Sequence, residues 1–353
     1  MKNFIRFLVC SLTLACAPAL AQQGLVIGAL YVGSVNDYGY NRSFHDALTL
    51  IAKELPGIRL LEAENVPESG EAESVMEGMV RQGAKLVIPT SFGYYDSARK
   101  VAGRHREVAF EFAGDGDTTA NFGVFFGQTQ RAMYAMGVGA GRMTKSNKLG
   151  FVIGVPIGYS LGNVNGFQMG ARSVNPKAQT IVVVTGGWSD KTKEAAAANA
   201  LLDQGVDVIS MHVDSPATII RTAEARGAMS IGFQSIEARA LAPKGWITGI
   251  GFDWKPFLTE TVKRVMAGSF RGEAVYQGLG KMVVVAPFGV AVPADVQAAV
   301  NKAAAEVAAG FNPFTGPLMD NRGRTALPPG ATVGSDQMGR LNWYVEGVIG
   351  KVR

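Results

Sequence analysis

The sequence predicts an α/β protein built as two doubly wound parallel-sheet lobes. Three observations carry this expectation. Short apolar runs alternate with helical patterns along the chain. The alternation halts after a long helix and then begins again. The 353 residues also exceed what one ordinary hydrophobic core accommodates.

Taken in order, residues 24–30 read as a buried strand, followed by a polar stretch at 34–41 and a helix at 43–54. The pattern repeats with strands at 58–63, 86–89 and 108–112 and helices at 70–82 and 96–105. A helix at 129–144 with small residues on one face ends the first series; its Gly137, Gly139 and Gly141 suit packing against a neighbour better than phosphate binding. The second series has strands at 149–155, 180–185, 206–211 and 229–233, and helices at 163–174, 191–204 and 216–226. Asp214-Ser215-Pro216 reads as a helix start, with Ser215 as N-cap and Pro216 at the first helical position. Strands separated by helices of this length imply right-handed βαβ units. Apolar runs at 246–253 and 281–285 flank a helix at 257–267 and read as crossovers between lobes. With the break between lobes near 144–148, the expected N-terminal lobe is 22–145 plus 252–283, and the C-terminal lobe 146–251 plus 284–353. The tail, with Asn312-Pro313, Gly316-Pro317 and Pro328-Pro329-Gly330, reads as loop before a last helix around 337–349.

Composition narrows the function classes. Hydrophobic residues make up 47% of the chain, ample for burial, so intrinsic disorder is set aside. The formal charge of +5 is spread without any basic block, which is not the footprint of a nucleic-acid binder. Past the N-terminus no segment approaches the roughly 20 apolar residues of a spanning helix. At the N-terminus, Lys2 and Arg6 precede an apolar run at 7–17, and Ala19-Leu20-Ala21 supplies the small residues of a cleavage site. Residues 1–21 therefore read as a signal peptide cleaved after Ala21, and the protein as periplasmic. An alternative places Cys16 in a lipobox, lipidated and tethering the protein to a membrane, although Thr13 stands where an aliphatic residue is usual. Cys10 and Cys16 are the only cysteines, so cleavage leaves no disulfide, thiolate catalyst or cysteine-bound metal.

In open α/β sheets ligands sit at the carboxyl ends of the strands. Those loops carry Asn36 to Asn41, then Ser91 to Tyr95, then Gly114, Asp115 and Asp117. In the second series they carry Pro156 to Tyr159, Trp188, His212 to Ser215, Gln234 and Ser235, with Asp253 and Trp254 last. Aromatics and short hydrogen-bonding side chains dominate, and basic residues are nearly absent. Such a lining suits a flat, neutral, polar ring and does not suit phosphate. Any one of these residues taken singly is at least as readily a core rim or a turn cap; the clustering is what points to a ligand. Enzyme chemistry has less behind it. His45, His105 and His212 fall in separate elements with no metal-ligand spacing, Ser91 lacks a G-x-S-x-G elbow, and Asp115 and Asp117 lack partner acids for a calcium loop. No catalytic residue, metal or cofactor is expected.

Five stretches taken together carry a resemblance: Ser91-Phe92-Gly93-Tyr94-Tyr95-Asp96, Gly170-Ala171-Arg172-Ser173-Val174-Asn175-Pro176, the run from Leu202 to Ile209, His212-Val213-Asp214-Ser215, and Asn312-Pro313-Phe314-Thr315-Gly316-Pro317. In this order the chain resembles the basic membrane protein family of ABC-transporter solute-binding proteins, from about Gly24 to the C-terminus. The resemblance implies a type I periplasmic-binding fold, two lobes joined by a three-strand hinge that close over a purine nucleoside or base. It also implies a membrane permease as partner and a monomer with no nucleic acid bound. Carried over position by position, Asn36, Asp37, Tyr40 and Asn41 match the first-loop segment that contacts the base. Phe92 and Trp188 match aromatic positions that sandwich a ring, and Asp214, Gln234 and Asp253 match polar positions on the second lobe and the crossover side. Two departures concern the sugar. Trp254 stands where nucleoside-binding members place a lysine, and Gln128 falls near a position often held by arginine. The resulting expectation is a protein that delivers a nucleobase or similar heterocycle to an ABC importer. A nucleoside-binding protein of the same system and a ligand-sensing subunit for a membrane receptor are the alternatives.

Overall fold

The computed structural model describes residues 24–352 apart from 235; the expected signal peptide, its cleavage site and Cys16 lie outside the described residues. The chain opens with β1 (Val26–Leu30), α1 (Tyr40–Glu54), β2 (Arg59–Ala63), α2 (Gly70–Arg81), β3 (Leu86–Pro89), α3 (Tyr95–Arg104), β4 (Ala109–Ala113) and β5 (Phe122–Gly127). The helices form for local reasons. In α1, Phe44, Ala47, Leu48 and Ile51 repeat at three- and four-residue steps and are all buried. Ser69 caps α2 by accepting from the Glu71 N–H at 3.3 Å.

The second series follows as α4 (Thr129–Met143), β6 (Lys148–Ile153), α5 (Gly158–Val174), β7 (Gln179–Val184), α6 (Lys191–Asp203), β8 (Val208–His212), α7 (Ala217–Ala225), β9 (Met229–Gln234) and β10 (Trp246–Phe252). Then come α8 (Lys255–Met266), β11 (Ala274–Gln277), β12 (Val283–Val285) and α9 (Ala294–Ala308). A two-stranded ribbon of β13 (Leu318–Met319) and β14 (Thr325–Leu327) and a last short strand, β15 (Val348–Ile349), complete the order.

Two sheets result. The first has the order β11-β5-β4-β3-β1-β2 and is parallel throughout. The second has the order β12-β10-β9-β8-β6-β7-β15, parallel except where β12 pairs with β10. Each sheet is doubly wound by helices, and the two-lobed α/β architecture is that of a type I periplasmic-binding fold. The chain passes between lobes three times, around 128, 253 and 278–282, and the passages are stitched together. Gln128 N–H donates to the Gln277 carbonyl at 2.8 Å, and Asp253 N–H to the Met282 carbonyl at 2.9 Å.

Helix α4 packs on α5 and α9, and its buried residues, Ala132, Met133 and Met136 among them, belong to the second lobe's core. We therefore draw the first boundary at Gly127–Gln128, one helix earlier than 145. The small-residue face of α4 explains the packing. A Cβ on Gly137 would lie 1.9 Å from the Phe167 carbonyl oxygen of α5, and one on Gly170 of α5 would lie 1.9 Å from the Tyr134 carbonyl oxygen of α4. The helices interlock through backbone, with no room for a side chain on either. Gly170→Val is expected to destabilise the protein by about 3 kcal/mol, seen as a lower midpoint in urea unfolding followed by circular dichroism.

Three local expectations are corrected. Residues 337–349 do not form a helix: a 3₁₀ turn at Ser335–Arg340 is followed by extended chain and β15. Met338, Leu341, Tyr344, Val345 and Val348 are buried at helix-like spacing, but the chain reaches the second core by draping over it, broken by Gly347 at φ +90°. Helix α7 begins at Ala217 with Pro216 as its cap, φ −68°, and no side-chain cap from Ser215. Strand β5 lies outside the strands the sequence pattern predicts, because Gly123 and Gly127 interrupt its apolar run; a Cβ at 127 would sit 2.5 Å from the Phe252 ring.

Candidate functional site

The carboxyl ends of both sheets face each other across a closed cleft. Loop 31–39 after β1 reaches the start of α7 in the other lobe, where Tyr40 N–H donates to the Asp214 carbonyl at 3.1 Å. The Arg221 guanidinium lies 5.9 Å from the Tyr38 ring centroid, and Tyr159 of the second lobe meets Phe126 of the first at 5.1 Å between centroids. These contacts bound a narrow cavity of about 30 Å³, more than the roughly 10–15 Å³ that a single water needs.

Aromatic side chains make its walls: Tyr40, Phe92, Phe126, Tyr159 and Trp188. Ser91, His212, Asp214 and Gln234 supply the polar edge, and no lysine or arginine lines it among the described residues. Buried Asp214 sits at the head of α7, and its carboxyl is held well above the usual range, first by burial and then by the nearby Asp37 charge, against a lowering contribution from the Gln234 amide. Gln234 adopts φ +75°, a costly conformation for a residue with a side chain, and its buried Oε1 has no protein partner. The Tyr159 hydroxyl is likewise buried without a partner. His212 ends β8 and packs against Phe233 at 4.6 Å between ring centroids; burial depresses its pKa to about 3, so the imidazole is neutral.

Of the nine residues singled out in the sequence, five line this cavity: Tyr40, Phe92, Trp188, Asp214 and Gln234. Tyr40 is anchored by its hydroxyl, which donates to the Thr90 carbonyl at 2.7 Å. The other four are placed elsewhere. Asp37 accepts from the N–H groups of Gly39, Asn41 and Arg42 and from Asn41 Nδ2, at 2.7 to 3.2 Å, so its carboxylate caps α1 and orders the loop. Asn36 is exposed, Asn41 is buried beside Asp37, and Asp253 lies on the middle crossover. Trp254 is packed in the first lobe's core, stacked on Phe252 at 4.2 Å and Phe44 at 4.6 Å with Nε1 donating to Ser43 Oγ. The adjacent Lys255 turns away to pair with Glu54 at 2.6 Å.

Ser91, Tyr159 and His212 belonged to the strand-end loops read from the sequence, yet were not among the nine. Phe126 carries no such signal, because it sits inside β5, which the sequence pattern does not mark. A larger open groove of about 760 Å³ passes Lys85, Arg106 and Arg271 at the opposite ends of the first lobe's strands, away from the cleft loops. Among the described residues no cluster of three or more His, Cys, Asp or Glu is placed to hold a metal ion, and no helix is long and apolar enough to cross a membrane.

Comparison with known proteins adds the family. The family described as ABC transporter substrate-binding protein, PnrA-like (Bmp), matches residues 25–307. The chain belongs to the Bmp family. A purine-binding protein of Brucella abortus is similar to this Bmp protein at 33% identity over 337 residues, covering 95% of each chain. A putative ABC transporter glucose-binding protein of Haloferax volcanii is 29% identical over 256 residues, covering 71% of this chain and 63% of its own. Among solved structures, an ABC transporter solute-binding protein from Conexibacter woesei aligns with TM-score 0.66 at 24% identity, over 81% of this chain and 97% of its own. One from Aeropyrum pernix aligns with TM-score 0.71 at 20% identity, over 81% and 92%. These two structures share the fold. Bmp membership makes the chain an ABC transporter substrate-binding protein that works outside the cytoplasm, takes a small-molecule ligand and works with a permease.

Proposed function

We propose that this protein captures a purine nucleobase in the cleft and delivers it to the permease of an ABC importer, from the periplasm and as a monomer. The observation that carries the reading is the cavity itself: narrow, walled by aromatic rings, edged by neutral or acidic hydrogen-bonding groups and, among the described residues, without a lysine or arginine. A flat heterocycle meets such a site with its faces on the rings and its edge on Asp214, Gln234 and His212. Stacking on aromatic side chains contributes about 1–3 kcal/mol per base. The purine-binding relative in Brucella abortus supports the same ligand class.

The choice of base over nucleoside rests on polar partners for a sugar. A base occupies one ring thickness, whereas a ribose adds a puckered group whose hydroxyls each need a polar partner. Lys255, the lysine nearest in sequence to that side, is engaged with Glu54 on the outer surface. Recognition needs no bond making, and the closed lobes present the permease with a surface that the open form lacks.

A thermal-shift screen of purine bases, nucleosides, sugars and amino acids tests the reading. A bound base at 100 times its Kd should add about 2.7 kcal/mol of stability and raise the melting temperature visibly. A shift with glucose or an amino acid and none with any purine would overturn it.

A further inference from the structure

One hydrogen-bonded chain leads from the first crossover into the cavity. Thr129 is the first residue of α4, directly after the passage at 128. Its hydroxyl donates to Asn163 Oδ1 at 2.9 Å, and Asn163 Nδ2 lies 2.8 Å from His212 Nδ1. All three side chains are buried. With the Asn163 amide placed so that its oxygen takes the Thr129 hydroxyl, its N–H faces the ring and Nδ1 accepts. A neutral imidazole accepting at Nδ1 carries its proton on Nε2. Nε2 makes no hydrogen bond among the described residues and is not among the polar atoms sealed in the core, so the space it faces is the cavity that His212 lines.

We propose that His212 is a specificity-determining donor whose Nε2–H selects ligands presenting an unprotonated acceptor to it, with Asn163 and Thr129 as the positioning residues that fix the tautomer. This rests on the purine reading only for the identity of the ligand, where the acceptor would be a ring nitrogen. The site then offers complementary edges: a donor at His212, an acceptor at Gln234 Oε1 and a carboxyl at Asp214. A ligand with a donor at the His212 position would lose that bond and leave two N–H groups opposed.

The test uses the mature protein labelled with ¹⁵N-histidine, with His212 distinguished from His45 and His105 by the His212→Gln spectrum. The expected result is the Nε2–H tautomer, unchanged from pH 5 to pH 8, with Asn163→Leu giving a mixture of tautomers. An Nδ1–H tautomer, or titration near pH 6.5, would overturn the proposal. Binding supplies the second arm, with adenine and its 1-, 3- and 7-deaza analogues as probes. One analogue, lacking the acceptor that faces His212, should bind about tenfold more weakly than adenine, and that difference should vanish in His212→Phe. Penalties that are the same in both proteins would overturn the assignment. Failure of all four compounds to bind, with the Nε2–H tautomer intact, would sink the purine reading and leave the donor standing. Adenine binding with an Nδ1–H tautomer would do the reverse.

Discussion

Asp214→Ala is expected to weaken adenine binding about 100-fold while both lobes remain folded. The residue contributes to closure through its backbone, since its carbonyl accepts the Tyr40 N–H across the cleft and its N–H donates to the Trp188 carbonyl at 2.7 Å. Those bonds survive truncation, so the loss falls on the carboxyl that edges the cavity. Asp214→Asn keeps the shape and removes the ionisable group. Burial and Asp37 raise the Asp214 pKa in the folded protein, so the folded state keeps a proton that the unfolded chain releases. Stability associated with this residue therefore falls as pH rises above the ordinary aspartate range, and the Asn variant should be at least as stable as the parent at pH 8. Calorimetric titration with adenine and unfolding at pH 8 read the two effects separately. Unchanged adenine affinity in Asp214→Ala would place the ligand elsewhere.

A large stability gain is expected at Glu111→Gln. Glu111 lies in the middle of β4, 2% exposed, and burial lifts its carboxyl to about 8, with Glu273 adding to the rise and Arg264 opposing it. Its ordinary value is 4.5. Between those pH values the folded protein binds a proton that the unfolded chain does not, so stability drops as pH climbs from about 4.5 to about 8. A glutamine of the same shape carries no such dependence and should stabilise the protein by about 3 kcal/mol at pH 8, with the gain gone by pH 4. Urea unfolding of both proteins at the two pH values checks this. An equal difference at both would mean that Glu111 is not held neutral by its surroundings.

How far the sequence reaches depends on what sets each feature. Strand β3 is apolar throughout, and β4 is apolar but for Glu111, because parallel sheets are covered on both faces, and that pattern reads directly. The strand-end rule located the loops that carry Trp188, His212, Asp214 and Gln234 for the same reason. Composition could not separate residues that share a loop but face different ways. Asp37 and Asn41 have the chemistry of ligand contacts, yet the start of α1 takes the Asp37 carboxylate to satisfy its N–H groups, and that carboxylate in turn holds the Asn41 amide. Trp254 illustrates the converse, since its position between Phe44 and Phe252 in the first core depends on the crossover geometry. Phe126 depends on β5, whose glycines serve close packing that only the assembled lobes impose. The tail at 337–349 shows that helical spacing of apolar residues can also be met by extended chain lying across a helix.

The most direct test of the central claim is isothermal titration of the mature protein with adenine and, separately, with adenosine. The proposed capture of a free base predicts that adenine binds at least about tenfold more tightly, with the preference lost in Asp214→Ala. Adenosine binding as tightly as adenine or more so would contradict the proposed capture of a free base.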